Sequence, residues 1–445
     1  MVVAIDADYL HSLVNWERGM IGPEIFVSDE IYKLEQERIF GRSWLFLAHD
    51  SMIPNPHDFF ATYMGGDPVL VVRQPDGGVK AFLNVCRHRG MRVCRAEEGN
   101  TRSFMCTYHG WTYDSAGKLV GVPNLEDAYY NKLSMEDNGL IQVAQLDSYK
   151  GLIFGNFDPT APPLHDYLGD LKYYIDGWVD HAEGGIEVLP GVIKWTINAN
   201  WKLAAEQFAG DTYHATTSHL SSLLAFGPGF EAKDGAHVSM REGHGESFLF
   251  ERHTRFEDDP LGQYNEKKRQ TARERVGDRA DMVANFNTFP NFSGLPGSAN
   301  IRVWHPKGPN KFEIWSFTVV EKDAPVEARR AQQVSASFTE GAAGVVETDD
   351  GENWGMIGGI LEQGYQARKM AWNYEMGLGT QSEHPELPGE YFDSFFGEAG
   401  QRGFYRRWLE FMTTEQWPAI PPQEQFDRDS VQARTSTADT AGGVR

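Results

Sequence analysis

The chain has 445 residues, 41% of them hydrophobic and 13% aromatic, enough to bury a large core divided over two or three domains. Its 63 acidic residues against 41 basic ones give a formal charge of -22, which repels phosphate backbones and argues against nucleic acid as a partner. No apolar run approaches the roughly 20 residues of a membrane span, and the N-terminus MVVAIDADYLHSLVNWERG lacks a charged-then-apolar signal pattern, so no membrane partner and a cytoplasmic location are expected.

The first predicted element is a helix over SDEIYKLEQERIF. Ser28 caps it, Asp29 and Glu30 favour its positive end, and Ile31, Leu34 and Ile39 mark an apolar face. From about 43 to 160 short strand-like segments recur (FFATYMG, PVLVVRQ, AFLNVC, SFMCTYHGWTY, GLIFGNF), separated by the turn signals GGD, PDGG and DSAGK. That is the pattern of a small antiparallel β domain. Beyond Pro162 the texture is mixed. IKWTINANWKLAAEQFAGDTYHATTSH turns from strand-like to helix-like near Asn200, strands return at NIRVWHP and FEIWSFTVV, and helical pieces follow at APVEARRAQQVSASF and GENWGMIGGILEQGYQARK. The expected organisation is an N-terminal helical segment (1–42), a β domain (43–160), a larger domain (161–422) and a polar, disordered tail (423–445).

All three cysteines lie between 86 and 106, too few and too local for a disulfide scaffold. Cys86-Arg-His88, seventeen residues, then Cys106-Thr-Tyr-His109 supply two thiolates and two imidazoles from two loops. Two thiolates on one iron and two neutral histidines on the other would hold a [2Fe–2S] cluster of raised potential. Structural zinc is the rival, although its usual spacing pairs Cys with Cys and His with His. Cys94 fits neither loop and reads as a buried small hydrophobe. Tyr108 and Trp111 either shield the cluster or pack the core. These motifs and their neighbours resemble the Rieske domain of the aromatic-ring-hydroxylating dioxygenases.

A second group decides between an electron carrier and an oxygenase. His214 and His219 are five residues apart, a step that does not share one helix face, so the helix is expected to distort or end between them. Asp211, three residues before His214, is expected to share its face. Two imidazoles and one carboxylate leave open positions on Fe(II) for O₂. Chemistry does not select the third ligand among 63 acidic residues. The resemblance selects Asp350, because Glu347-Thr-Asp-Asp350-Gly-Glu-Asn-Trp is similar to the family's Asp-Asp motif, whose second Asp ligates iron. It also implies that Asp211 bridges the two metal centres without ligating, reached by His109 of a neighbouring subunit.

The resemblance runs from about Gly22 to Trp417, through ERIFGRSWLFLAH, CRHRGMRVCRAEEGN, YKGLIFGNFD, RVWHPKGP and DDGENW. It is nearest the large (alpha) catalytic subunits of the biphenyl, toluene, phenylpropionate and polycyclic-arene dioxygenases. It implies an α+β fold: a small antiparallel β Rieske domain plus a larger catalytic domain with helices packed on an antiparallel sheet. It also implies one [2Fe–2S] cluster and one mononuclear Fe(II) per chain, and a terminal oxygenase adding O₂ to an aromatic ring to give a cis-dihydrodiol. Electrons would come from NADH through a reductase and a ferredoxin, and the assembly would be a homotrimer or an α3β3 complex with a small β subunit. The alternatives are a hydroxylase of an aromatic carboxylate, such as salicylate or a phthalate, and a Rieske electron-transfer protein. An Arg or Lys lining the pocket, with Arg241, Arg252, Arg255 and Arg302 as candidates, would favour the aromatic acid.

Gln207, Phe208, Val345 and Val346 are the expected pocket walls, with Val346 where relatives often place a bulky aromatic. Glu340 stands near a position that is usually apolar and is expected to face solvent. The Gly-rich, charged stretch from Phe226 to Leu261 reads as a surface connection or an entrance cover. Arg87, Arg89, Arg92 and Arg95 either dock an acidic ferredoxin or pair internally with Glu97 and Glu98.

Overall fold

The structure, a computed structural model, describes residues 5–222, 235–250 and 260–420. The expected polar tail, residues 226–234 and 251–259 of the expected connection, and with them Arg252 and Arg255, lie outside them.

The first predicted helix forms as α1, Asp29–Glu35, with Ser28 Oγ accepting from Ile31 N–H, and continues as a wider π turn over Gln36–Phe40. Its buried face departs from the expected one. Ile31 and Ile39 are buried, but Leu34 is only partly so and Glu35 is fully enclosed. Glu35 meets Lys202 Nζ at 2.6 Å and accepts from the indole N–H groups of Trp201 and Trp408. Burial of this carboxylate is sustained because its lone pairs are filled and its charge is matched. The pair ties the N-terminal segment to the helix that precedes the histidines. Lys202→Met should therefore destabilise the protein by about 3–5 kcal/mol, by stranding Glu35, whereas Glu35→Leu with Lys202→Met should recover most of that loss. Chemical unfolding followed by tryptophan fluorescence reads both, and equal losses in the single and double variants would contradict the pairing.

Between Leu45 and Asn156 the chain forms antiparallel strands in three small sheets. One has the order Val79–Leu83, Asp67–Arg73, Asp58–Met64, Glu98–Asn100; the second Leu119–Gly121, Thr112–Asp114, Ser103–Met105; the third Gln145–Tyr149, Leu152–Asn156, Leu45–His49. Leu70, Val72, Phe82, Phe104, Trp111 and Tyr113 form a core of their own. The third sheet belongs instead to the main core, where Phe46 stacks on Phe292 at 4.6 Å. The β domain is thus anchored through a shared apolar layer.

The larger domain is built on a nine-stranded antiparallel sheet. From one edge it runs Glu390–Phe392, Gly235–Ser239, Gly245–Phe250, Met282–Thr288, Phe292–Leu295, Asn300–Gly308, Lys311–Glu321. Ile186–Val188 and Ile193–Ile197 both pair with the last of these. The hairpin Gly235–Phe250 falls inside the stretch expected to be a surface connection, and its strands are largely buried. The alternation around Met240-Arg-Glu-Gly243 is that of a hairpin, with Gly243 at φ 86°. Helices α2 (Trp201–Gln207) and α5 (Glu347–Gln363) lie over the sheet face that presents Trp304, which stacks on Phe208 at 5.1 Å and meets Trp354 edge-on at 5.8 Å. Between them in sequence come α3 (Ala215–Ser218) and α4 (Val326–Glu340). Among the described residues no helix is long and apolar enough to cross a membrane.

Two candidate metal centres

The two Cys/His loops are built alike. In each, the cysteine N–H donates 2.8 Å to the carbonyl five residues on (Met91, Trp111), and the glycine four residues on donates 2.9 Å back to the cysteine carbonyl. That turn needs a left-handed residue, supplied by Gly90 (φ 71°) and Gly110 (φ 76°). The loops bring the His88 and His109 rings to 4.4 Å. Cys86 and Cys106 are buried and form no disulfide, and His88 Nδ1 is buried with no hydrogen-bond partner among the described residues. Two enclosed thiols beside an orphaned imidazole nitrogen suit a [2Fe–2S] cluster. Trp111 lies flat on His88 at 5.0 Å and is buried, whereas Tyr108 is 58% exposed at the loop tip against His109. Tyr113 escaped the sequence reading. Its hydroxyl accepts from Arg87 N–H and lies 3.4 Å from Cys86 Sγ, and burial, with Cys86 beside it, keeps it protonated. The hydroxyl is therefore a hydrogen-bond partner for the sulfur. Cys94 is buried in the same core as the loops, with its backbone held by the Asn84 side-chain amide.

Asn200 caps α2, which ends at Gln207, before either histidine. Gly210 (φ 152°) then redirects the chain, so Asp211 and His214 do not share a helix face as expected. Asp211 instead forms a turn, its Oδ1 accepting from the N–H groups of Tyr213 and His214. His214 and His219 bracket the single turn α3, which points both rings inward. Asp350 arrives from the first turn of α5.

His214 Nε2, His219 Nε2 and Asp350 Oδ1 form a triangle with edges of 3.2, 3.3 and 3.4 Å. Cis ligands each ~2.1 Å from a first-row metal stand about 3 Å apart. Among the described residues Asp350 Oδ1 is buried with no hydrogen-bond partner and faces only the two ring nitrogens, as expected of an atom reserved for a metal. Burial opposes charge on His214, but Asp211 and Asp350 outweigh it and push its pKa up to about 10. Burial would likewise raise Asp350, but His214 and His219 hold it at about 2. The two histidines also share an arrangement behind the triangle. Asp211 Oδ1 is 3.3 Å from His214 Nδ1, and Asp349 Oδ2 is 3.2 Å from His219 Nδ1. Asp349, in hydrogen-bond contact, favours the proton of His219 on Nδ1, and Asp211, an ion-pair neighbour without a hydrogen bond to that nitrogen, favours it on His214 Nδ1 by charge alone, which frees both Nε2 atoms. Asp349, adjacent to Asp350 and the next carboxylate in line as a third ligand, is directed at His219 Nδ1; only the fold shows which histidine it meets.

Of the expected pocket residues, Gln207 and Phe208 lie at the end of α2, Gln207 Nε2 being 3.4 Å from His214 Nε2. Val345 and Val346 are partly buried ahead of α5, with Ser222 Oγ donating to Val345 O. Glu340 does not face solvent. It is 6% exposed, accepts from Ser298 Oγ at 3.1 Å and pairs with Arg302, whose Nη2 also donates to Glu340 O. Burial pushes its pKa up, with Arg302 opposing. Arg302, fully buried, also reaches Glu347 at 3.1 Å. An apolar cavity of about 380 Å³ opens between α2 and α5 beside Leu203, Ile357 and Tyr374, but none of the metal-site residues lines it.

A family model described as the ring hydroxylating alpha subunit (catalytic domain) matches residues 164–414, and one described as the Rieske [2Fe-2S] domain matches 43–146. Biphenyl 2,3-dioxygenase subunit alpha from Rhodococcus jostii (strain RHA1) is 44% identical over 446 positions, covering 93% of both chains. Benzene 1,2-dioxygenase subunit alpha from Pseudomonas putida is 41% identical, covering 92% of this chain and 95% of that one. Among solved structures, naphthalene 1,2-dioxygenase from Rhodococcus sp. bound to indole superposes with a TM-score of 0.82 at 38% identity, covering 92% of this chain and 97% of that one. Naphthalene 1,2-dioxygenase with indole in its active site gives 0.86 at 34% identity, covering 96% and 97%.

Proposed function

Because the chain belongs to the family of ring-hydroxylating dioxygenase alpha subunits, we propose that it is the terminal oxygenase that converts an aromatic hydrocarbon and O₂ to a cis-dihydrodiol, with His214, His219 and Asp350 holding the mononuclear iron and Cys86, His88, Cys106 and His109 holding the cluster. The triangle of donor atoms supports this most directly. When bound, the cluster passes electrons and the ferrous iron activates O₂. The protein's own part is to keep both Nε2 atoms free, through Asp211 and Asp349, and to keep the site dry between Phe208, Trp304 and Trp354. The arenes named for the relatives, biphenyl, benzene and naphthalene, are the first substrates to try. A reading as an aromatic-acid hydroxylase needs an uncompensated cation in the pocket; of the candidates, the charge of Arg302 is matched by Glu340 and Glu347, and Arg252 and Arg255 lie outside the described residues. Metal analysis should give about three irons per chain, and a product screen with a ferredoxin, a reductase and NADH should yield dihydrodiols. Turnover of benzoates or salicylate alone would overturn the substrate class.

Electron entry and transfer extend this reading. No hydrogen bond or ion pair among the described residues joins the Cys/His loops to residues 207–219 of the same chain, while His109 and Asp211 are both partly exposed. A route through a neighbouring copy, His109 of one chain to Asp211 of the next, meets both observations and calls for a cyclic assembly such as a homotrimer, alone or with a β subunit. At the loop tips Arg87, Arg89 and Arg95 are exposed without an ion pair among the described residues; Glu97 pairs with Lys194, and Arg92 donates to Tyr63. This patch suits an acidic ferredoxin. Arg89→Glu with Arg95→Glu should raise the KM for ferredoxin about tenfold at low salt, less at high salt, and leave the chemically reduced single turnover unchanged. An unaltered KM would move the docking site elsewhere.

A further inference from the structure

Gln207, the last residue of α2, holds its side-chain amide between two partners. Trp354 Nε1 donates to Gln207 Oε1 at 2.9 Å. An indole nitrogen only donates, so this contact fixes the amide: oxygen toward Trp354, NH₂ away from it. Trp354 is itself held, 2% exposed and edge-on to both Trp304 and Phe312 at 5.8 and 5.9 Å. The NH₂ end is 3.4 Å from His214 Nε2, a corner of the ligand triangle. A neutral imidazole carries a lone pair on that atom, which can receive the amide proton. With a metal on Nε2 the lone pair is taken, and the amide hydrogens remain beside the metal. A part-buried donor left that way favours an acceptor brought by a ligand.

We infer that Gln207 is a hydrogen-bond donor to an anionic or oxygen ligand held beside His214 on the iron, and that Trp354 is the positioning residue that keeps the donor, not the acceptor, turned inward. The inference rests on the assignment of His214, His219 and Asp350 as iron ligands and gives the open side of that site a direction. The structure thereby assigns α5 a second contribution: Asp350 supplies a ligand, and Trp354, one turn on, sets the group facing the open positions.

Azide, a small anionic acceptor, is the probe. It is titrated into the oxidised, iron-loaded protein while the electron paramagnetic resonance of the mononuclear ferric iron is followed; the oxidised cluster, with two coupled ferric ions, is silent. Gln207→Leu should weaken azide binding about tenfold or more with iron content unchanged, since a bond to a charged group is lost. Trp354→Phe, which frees the amide to turn over, should weaken it by a smaller factor, and Gln207→Glu should suppress it by repulsion. Unchanged azide affinity in iron-replete Gln207→Leu overturns the inference. So does loss of iron in that variant, which would place the amide among the groups that hold the metal. Azide affinity unaltered in Trp354→Phe overturns the part given to Trp354. Absence of mononuclear iron from the wild-type protein, read by metal analysis before azide is added, would instead sink the iron-site assignment.

Discussion

Replacing Asp350 by alanine is expected to lower the iron content from about three to about two per chain and to reduce oxygenation to background, with the visible spectrum of the cluster unchanged. His214→Ala and His219→Ala should do the same. The effect is large because Asp350 is the anionic corner of the triangle and is nine-tenths or more enclosed. The nearest substitute, Asp349, already faces His219 Nδ1, on the far side of the ring from the metal. The cluster loops share no polar contact with the triangle, so their spectrum should not respond. Normal turnover by the Asp350 variant would show that Asp349 or another carboxylate completes the site.

Asp211→Asn should load both metal centres yet slow the transfer of electrons between them by roughly 10–100-fold or more. Asp211 Oδ1 is occupied by the N–H groups of Tyr213 and His214 and by the approach of His214 Nδ1. That leaves Oδ2 for a donor from outside, in our reading the ring N–H of His109 in the neighbouring copy. An asparagine must keep its oxygen where Oδ1 was to hold the turn, which directs its NH₂ outward against another donor. Reduced protein mixed with substrate and O₂ should then show slow cluster oxidation. Rapid oxidation with a normal single-turnover yield would remove Asp211 from the route.

The two Cys/His loops are legible from the sequence because each is local. Cysteine, histidine and the left-handed glycine fall within five residues, and the same hydrogen bonds recur in both. The mononuclear site was legible only in part. Spacing alone left Asp350 unselected, since it lies 131 residues from His219 in sequence (350 − 219) and is brought close by α5 crossing the sheet. Helix periodicity misplaced Asp211, because Gly210 ends the regular backbone that the periodicity assumes. The burial of Glu35, and of Glu340 where solvent exposure is expected, has a shared reason. Each is an acid whose burial depends on cations far along the chain, Lys202 and Arg302, and a local pattern holds no record of such partners. The alternation in Gly235–Phe250 was outweighed by its glycines and charges, although its buried edges pair with Glu390–Phe392 and Met282–Thr288.

In our reading this one chain carries both the electron store and the oxygen-reacting iron for adding two oxygen atoms to one arene, and a single turnover under ¹⁸O₂ decides it. The purified protein is reduced, freed of excess reductant, and mixed with biphenyl or naphthalene and labelled oxygen, with neither ferredoxin nor reductase present. The account predicts a dihydrodiol in which both hydroxyl oxygens are ¹⁸O, formed as the cluster is oxidised and in an amount that follows the mononuclear iron content. A product carrying one labelled oxygen, or cluster oxidation that yields hydrogen peroxide and no oxygenated arene, would contradict it.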